Sequence, residues 1–165
     1  MEISDFKDAM SQIPTSVALI SLGDSENIKA CTISSLVSVD VMSPTVMFVL
    51  KNASSTLSKI KSDLRFSISI LTSNQVLVSQ TYSNSKEISS GSPNIDFWMS
   101  EDDALPVLFG AHSTFFCNFE SSLELKNATI VFASVKNVIK CDSHNPLVYF
   151  ARRYFTIEEI KLEPH

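Results

Sequence analysis

Two clusters of small hydroxyl residues carry the chemistry that this chain can offer. The first lies in Ala30-Cys31-Thr32-Ile33-Ser34-Ser35-Leu36-Val37-Ser38-Val39, which starts as a β-branched strand and turns serine-rich. Ser34, Ser35 and Ser38 have two readings. They face solvent on a half-exposed strand, or, with Thr32, they join backbone amides in bonding a polar ring edge or a phosphate. The second cluster is Lys51-Asn52-Ala53-Ser54-Ser55-Thr56, which leads into a short helix with Leu57 and Ile60 inward. The first N–H groups of a helix lack internal partners and carry the positive end of its dipole. Hydroxyls there either cap the helix or help to hold an anion. Lys51 adds a cation, and a single apolar strand separates the clusters, so one ligand has room to touch both.

A third group, Tyr149, Phe150, Arg152, Arg153 and Tyr154, forms a cationic and aromatic strand end. It is either a surface ion-pairing patch or a wall that stacks on a ring and meets a phosphate. Acid–base chemistry is harder to place. His112, His144 and His165 are isolated, and no Ser–His–Asp set can be assembled from the scattered acids and serines. Cys31, Cys117 and Cys141 are too widely spaced for a zinc site. With only Gly23, Gly91 and Gly110, the chain has no glycine-rich phosphate loop.

The elements that position these groups follow from periodicity. Residues 3–12 read as a helix with Ile3, Phe6, Met10 and Ile13 on one face, Ser4 as its cap and Pro14 after its end. Residues 16–22 and 28–33 read as a hairpin around the turn cluster Gly23-Asp24-Ser25-Glu26-Asn27. Residues 45–50 form an apolar run expected to be covered on both faces. A strand over 66–71 follows, then a helix to about residue 80, opened by the Thr72/Gln75 capping-box pattern. Residues 83–105, with Phe97 and Trp98, read as a long connection, a lid or a dimer contact. Two long strands, 113–124 and 128–139, and a last one at 147–150 complete the chain. This order favours a closed barrel over a doubly wound sheet.

Composition agrees. The chain has 165 residues, 44% of them hydrophobic and 19% charged, and a net charge of −5. That suits one domain and argues against a nucleic-acid partner, which would need a basic stripe. The acidic start Met1-Glu2-Ile3-Ser4-Asp5 is unlike a signal peptide, and no apolar run approaches the ~20 residues of a membrane span. A reduced cytoplasm is the expected setting.

The ordered motifs resemble the short flavin reductase family. They are Pro14-Thr15-Ser16-Val17, the 30–39 run, Ser43-Pro44-Thr45-Val46, the 52–57 segment, and Phe66 to Leu71 with Gln75. Pro106-Val107-Leu108 with Gly110-Ala111, and Pro146 to Tyr154, complete the set. The resemblance spans residues 5–156 and implies a mostly β (α+β) fold, a six-stranded split β-barrel of the FMN-binding type with short peripheral helices. It sets a domain at 1–156 and a charged tail at 157–165. It also implies a homodimer that reduces FMN, or alternatively FAD, with NADH or NADPH, and a flavin-dependent monooxygenase as possible recipient. By position, Thr32, Ser34 and Ser35 would lie along the flavin, and Lys51, Asn52, Ser54, Ser55 and Thr56 would hold the phosphate. Tyr149, Phe150, Arg152 and Tyr154 would flank the nicotinamide. No catalytic side chain and no metal are implied, because the flavin carries the chemistry. Lys126-Asn127-Ala128 stands where many relatives have Gly-Asp-His, a motif associated with the nicotinamide nucleotide. An electron-carrier or storage flavoprotein is therefore the alternative.

Overall fold

The computed structural model describes residues 1–83, 97–101, 104–141 and 145–159. Helix α1 (Ile3–Ser11) precedes the short strand β1 (Thr15–Ser16). Strands β2 (Ala18–Gly23) and β3 (Ile28–Ile33) form the expected hairpin, paired from Ala18↔Ile33 to Gly23↔Ile28. Its turn needs glycine. Gly23 has φ +110°, and a Cβ there would stand 2.1 Å from the Asn27 carbonyl oxygen. The Asp24 carboxylate accepts the Glu26 and Asn27 N–H groups at 3.0 and 2.9 Å, which fixes the turn.

Strands β4 (Val37–Asp40) and β5 (Thr45–Lys51) follow, then helix α2 (Ser55–Asp63), β6 (Arg65–Ile70), a 3-10 turn at Ser73–Gln75 and helix α3 (Val76–Ser83). The expected Thr72/Gln75 capping box is present, with Gln75 Oε1 accepting the Thr72 N–H at 3.0 Å. Strands β7 (Phe97–Met99) and β8 (Pro106–Leu108) pair with each other, so Phe97 and Trp98 belong to a hairpin and not to an unstructured connection. The long strands β9 (Ser113–Glu124) and β10 (Ala128–Lys140) pair across two register shifts, which let them coil. The hairpin β11 (Val148–Phe150)–β12 (Arg153–Phe155) closes the chain and pairs with β1. Residues 84–96 and 102–103 of the 83–105 connection, His144 and the end of the charged tail lie outside the described residues.

The principal sheet is antiparallel, in the order β3-β2-β6-β9-β10-β5-β4. It curls until its two ends share one core. Cys31 and Ile33 of β3 pack in the same cluster as Val46, Phe48 and Leu50 of β5, with Leu57 and Ile60 of α2 plugging it. The mostly β split-barrel architecture with short peripheral helices is borne out, and it matches the fold of the structural relatives given below. The principal sheet counts seven strands where six were expected, because the 30–39 run is two strands with a break at 34–36.

Burial corrects the reading of two elements. Strand β2, not β5, is covered on both faces. Ala18, Ile20 and Leu22 enter the barrel, while Val17 and Leu19 enter a second core with Leu71, Leu108 and Leu147. Strand β5 alternates, and its Val49 is 41% exposed. Helix α1 forms as expected, but Ser4 lies within it and Glu2 takes the N-cap position without a side-chain bond. Its apolar face, Ile3, Phe6 and Met10, is exposed. The helix is held at its C-terminal end, where the Ala151 N–H donates to the Ser11 carbonyl at 2.7 Å and Arg152 pairs with Asp8.

Candidate functional site

The break at 34–36 decides how the first cluster is used. Thr32, the last outward-facing residue before the break, donates its hydroxyl to the Ser79 carbonyl of α3 at 2.9 Å. Ser79 Oγ lies 2.9 Å from the Tyr154 phenol of β12. Tyr154 sits opposite Tyr149 across the β11–β12 hairpin, with ring centroids 5.3 Å apart and planes tilted by 59°. These groups surround a cleft of about 230 Å³ lined by Val17, Thr32, Ile33, Ser34, Ser79, Ser83, Tyr149 and Tyr154. The structure thus joins Thr32 and Ser34 to Tyr149 and Tyr154, which are far apart in sequence.

Ser35 points elsewhere. Its Oγ accepts the Val49 N–H at 2.9 Å and lies 3.5 Å from the Val49 carbonyl. Among the described residues no backbone ladder joins β3 to β5, and Ser35 supplies a link across that gap. Phe150 also turns away from the cleft, packing its ring on Phe155 at 5.8 Å. Arg152 stands at the hairpin tip with φ +61° and pairs with Asp8.

The second cluster is sorted by the same accounting. Asn52 has its side-chain groups engaged. Its Nδ2 donates to the Leu125 and Lys126 carbonyls at 2.9 and 3.4 Å, and its Oδ1 accepts the Thr129 hydroxyl at 2.9 Å. It bolts the 51–54 turn to the β9–β10 turn. Ser54 takes the N-cap position of α2, yet its side chain makes no cap bond. The residue is 4% exposed, and its Oγ has no hydrogen-bond partner. A buried hydroxyl without a partner costs roughly 1–3 kcal/mol, so it calls for a group that the protein does not supply. Ser55 opens α2, Thr56 is buried behind it, and the Cys31 thiol donates to the Thr32 carbonyl at 3.7 Å. Burial pushes that thiol's pKa up, against the smaller downward pulls of Thr56 and the Lys51 charge. Cys31 is therefore a neutral core group, in the same buried cluster as Leu57 and Ile60 of α2.

Two features escaped the sequence. Ser79 lines the cleft, but nothing in Val76-Leu77-Val78-Ser79-Gln80-Thr81-Tyr82-Ser83 separates it from its neighbouring hydroxyls. The bond between Asn52 and the β9–β10 turn spans 73 residues, beyond the reach of any local pattern. Among the described residues no cluster of His, Cys, Asp and Glu could hold a metal ion.

The fold that carries this cleft is shared with known structures. The styrene monooxygenase flavin reductase (SMOB) from Pseudomonas putida matches with a TM-score of 0.83 and 28% identity, over 96% of this chain and 99% of that one. The NADH-dependent flavin reductase StyB of Pseudomonas fluorescens is 28% identical over 152 residues, covering 90% of this chain and 86% of StyB. The FMN reductase (NADH) RutF of Acinetobacter baylyi is 25% identical over 165 residues, covering 97% and 81%. Residues 10–158 match the flavin reductase like domain, and the chain belongs to that family.

Proposed function

We propose that this chain is an NAD(P)H-dependent flavin reductase, with NADH favoured by the names of its relatives and FMN ahead of FAD. A bound flavin supplies the hydride acceptor, and the chain's own residues bind and orient. The observation that carries this reading is the buried, unpartnered Ser54 hydroxyl at the first turn of α2. With Ser55, Thr56 and the free N–H groups of that turn, it would take the flavin phosphate. Thr32 and Ser34 would border the ring, and Tyr149 and Tyr154 the nicotinamide side of the same cleft.

The reduced flavin would pass to another protein. A flavin-dependent monooxygenase is the candidate recipient, because the SMOB relative is the reductase of such an enzyme. The catalytic domain would span 1–156, with 157–165 as a tail. Cytoplasmic placement accords with three free cysteines. No helix among the described residues is long and apolar enough to cross a membrane.

A homodimer is supported by an apolar face on the outer side of the sheet. Leu123, Ile130 and Val49 are register partners across β9, β10 and β5, and Val37, Met47 and Phe132 form the next row. Leu123 is 53% exposed and Val37 47%. A contiguous apolar sheet face of this kind marks an interaction surface.

The second reading, an electron-carrier or storage flavoprotein, is favoured by Ala128. It pairs with Lys51 at the mouth of the phosphate turn, where many relatives carry histidine. One anaerobic experiment separates the two. Purified protein is mixed with free FMN and then NADH or NADPH, and absorbance is followed near 450 nm, roughly the flavin band. Rapid bleaching is expected. Bleaching only with dithionite would establish the carrier, and no flavin binding would reject both.

A further inference from the structure

The hydrogen bond between Thr32 and Ser79 fixes the polarity of the cleft. Its acceptor is a backbone carbonyl, so the proton must come from Thr32. A hydroxyl has one proton and two lone pairs. With the proton spent on α3, the Thr32 oxygen can only accept. The neighbouring bond holds the opposite wall. Ser79 is 1% exposed, and its Oγ lies 2.9 Å from the Tyr154 phenol, which keeps that ring tilted on Tyr149. The other walls are Val17, Ile33, Ser34 and Ser83, and the Ser83 hydroxyl donates to the Gln80 carbonyl at 2.8 Å. At about 230 Å³ the cleft is smaller than the ~300–1,000 Å³ usual for whole small-molecule ligands. It suits one planar ring system, with the rest of the ligand outside.

We propose that the Thr32–Ser79–Tyr154 chain makes this cleft selective for a planar ring that presents an amide or imide N–H to Thr32. Thr32 is the contact residue. Ser79 is a positioning residue, its carbonyl orienting Thr32 and its hydroxyl orienting Tyr154. The inference rests on the flavin reductase reading, under which two rings carry that donor: the flavin, through its ring imide, and the nicotinamide, through its carboxamide. A ring with carbonyls alone at that position would leave the Thr32 lone pairs unanswered in a part-buried site, a loss of roughly tenfold in affinity.

The test uses the purified full chain and measures affinity for two ligand pairs. One pair is FMN against N3-methyl FMN. The other is NADH against the reduced 3-acetylpyridine analogue, which lacks the carboxamide nitrogen. Wild type should bind one of the two modified ligands about tenfold more weakly than its parent, and that pair identifies the ring. Thr32→Val, nearly isosteric, should weaken the parent and bring the parent-to-analogue ratio close to one. That step separates a lost hydrogen bond from a steric clash, which Thr32→Val would leave in place. Ser79→Ala keeps the orienting carbonyl, so it should weaken the parent while preserving the ratio. If wild type shows no loss for either analogue, or if Thr32→Val keeps the wild-type ratio, the proposal is overturned with FMN binding intact. Absence of FMN binding in wild type would instead reject the flavin reading itself.

Discussion

Single residues in the two hydroxyl clusters differ in what they have left to give. Ser35 has spent its hydroxyl on Val49, Asn52 its amide on the β9–β10 turn, and Thr32 its proton on Ser79. Ser54 has spent nothing and is buried. A sequence shows residue types, and every one of these is a good hydrogen-bonding type. It does not show commitments, which depend on partners 14 to 77 residues away. Adding charge at the helix end tests the phosphate assignment directly. Ser55→Asp places a carboxylate at the first residue of α2, against a ligand that is already anionic. We expect FMN affinity to fall by about tenfold or more, while the carboxylate's match to the helix dipole keeps thermal stability within about 1 kcal/mol. Flavin fluorescence titration and thermal melts check the two halves. Unchanged affinity would remove the phosphate from this helix.

At the scale of elements, turn chemistry was the most legible signal. The β2–β3 hairpin was readable because Gly23 and Asp24 fix its turn locally, and α2 because its start concentrates hydroxyls. Strands β7 and β12 were missed because three residues carry no periodicity. Strand β4 is not legible because β-branched and small residues on both sides of 34–36 continue the same composition. Which strand is covered twice was misread for another reason. Residues 46–50 are uniformly apolar, yet among the described residues no helix covers the outer side of β5, whereas the less uniform β2 lies between two cores. An apolar outer face is the signature of an interface as much as of a core. Asn52 ties two such elements together, and its removal should be felt as instability. Asn52→Ala leaves the Thr129 hydroxyl, 1% exposed, without its acceptor and frees two turn carbonyls. We expect a loss of about 1–3 kcal/mol in urea unfolding. A loss below about 0.5 kcal/mol would mean that water replaces the amide fully.

For the whole molecule, the apolar outer face and the buried thiols give separate expectations. Val49→Lys puts a charge in the middle of the face formed with Ile130 and Leu123. We expect sedimentation velocity to show dimers for the parent protein and monomers for the variant, and an equal dimer in both would move the interface elsewhere. The barrel interior is probed by pH. Burial pushes the Cys117 thiol from 9.0 up to about 12. Below pH 9 the folded and unfolded chains both hold this proton. Above it the unfolded chain releases the proton while the folded chain retains it, so stability falls as pH rises towards about 12, by on the order of 4 kcal/mol from this group. Urea unfolding of Cys117→Val across that range should show a shallower decline than the parent. Equal slopes would assign the alkaline loss to other groups. The link across the gap in the barrel has a different kind of consequence. A backbone rung survives nearly any change of side chain, but the one made by Ser35 to Val49 is written in a single codon. The seam beside the cleft is thus open to heritable variation in a way that the rest of the ladder is not.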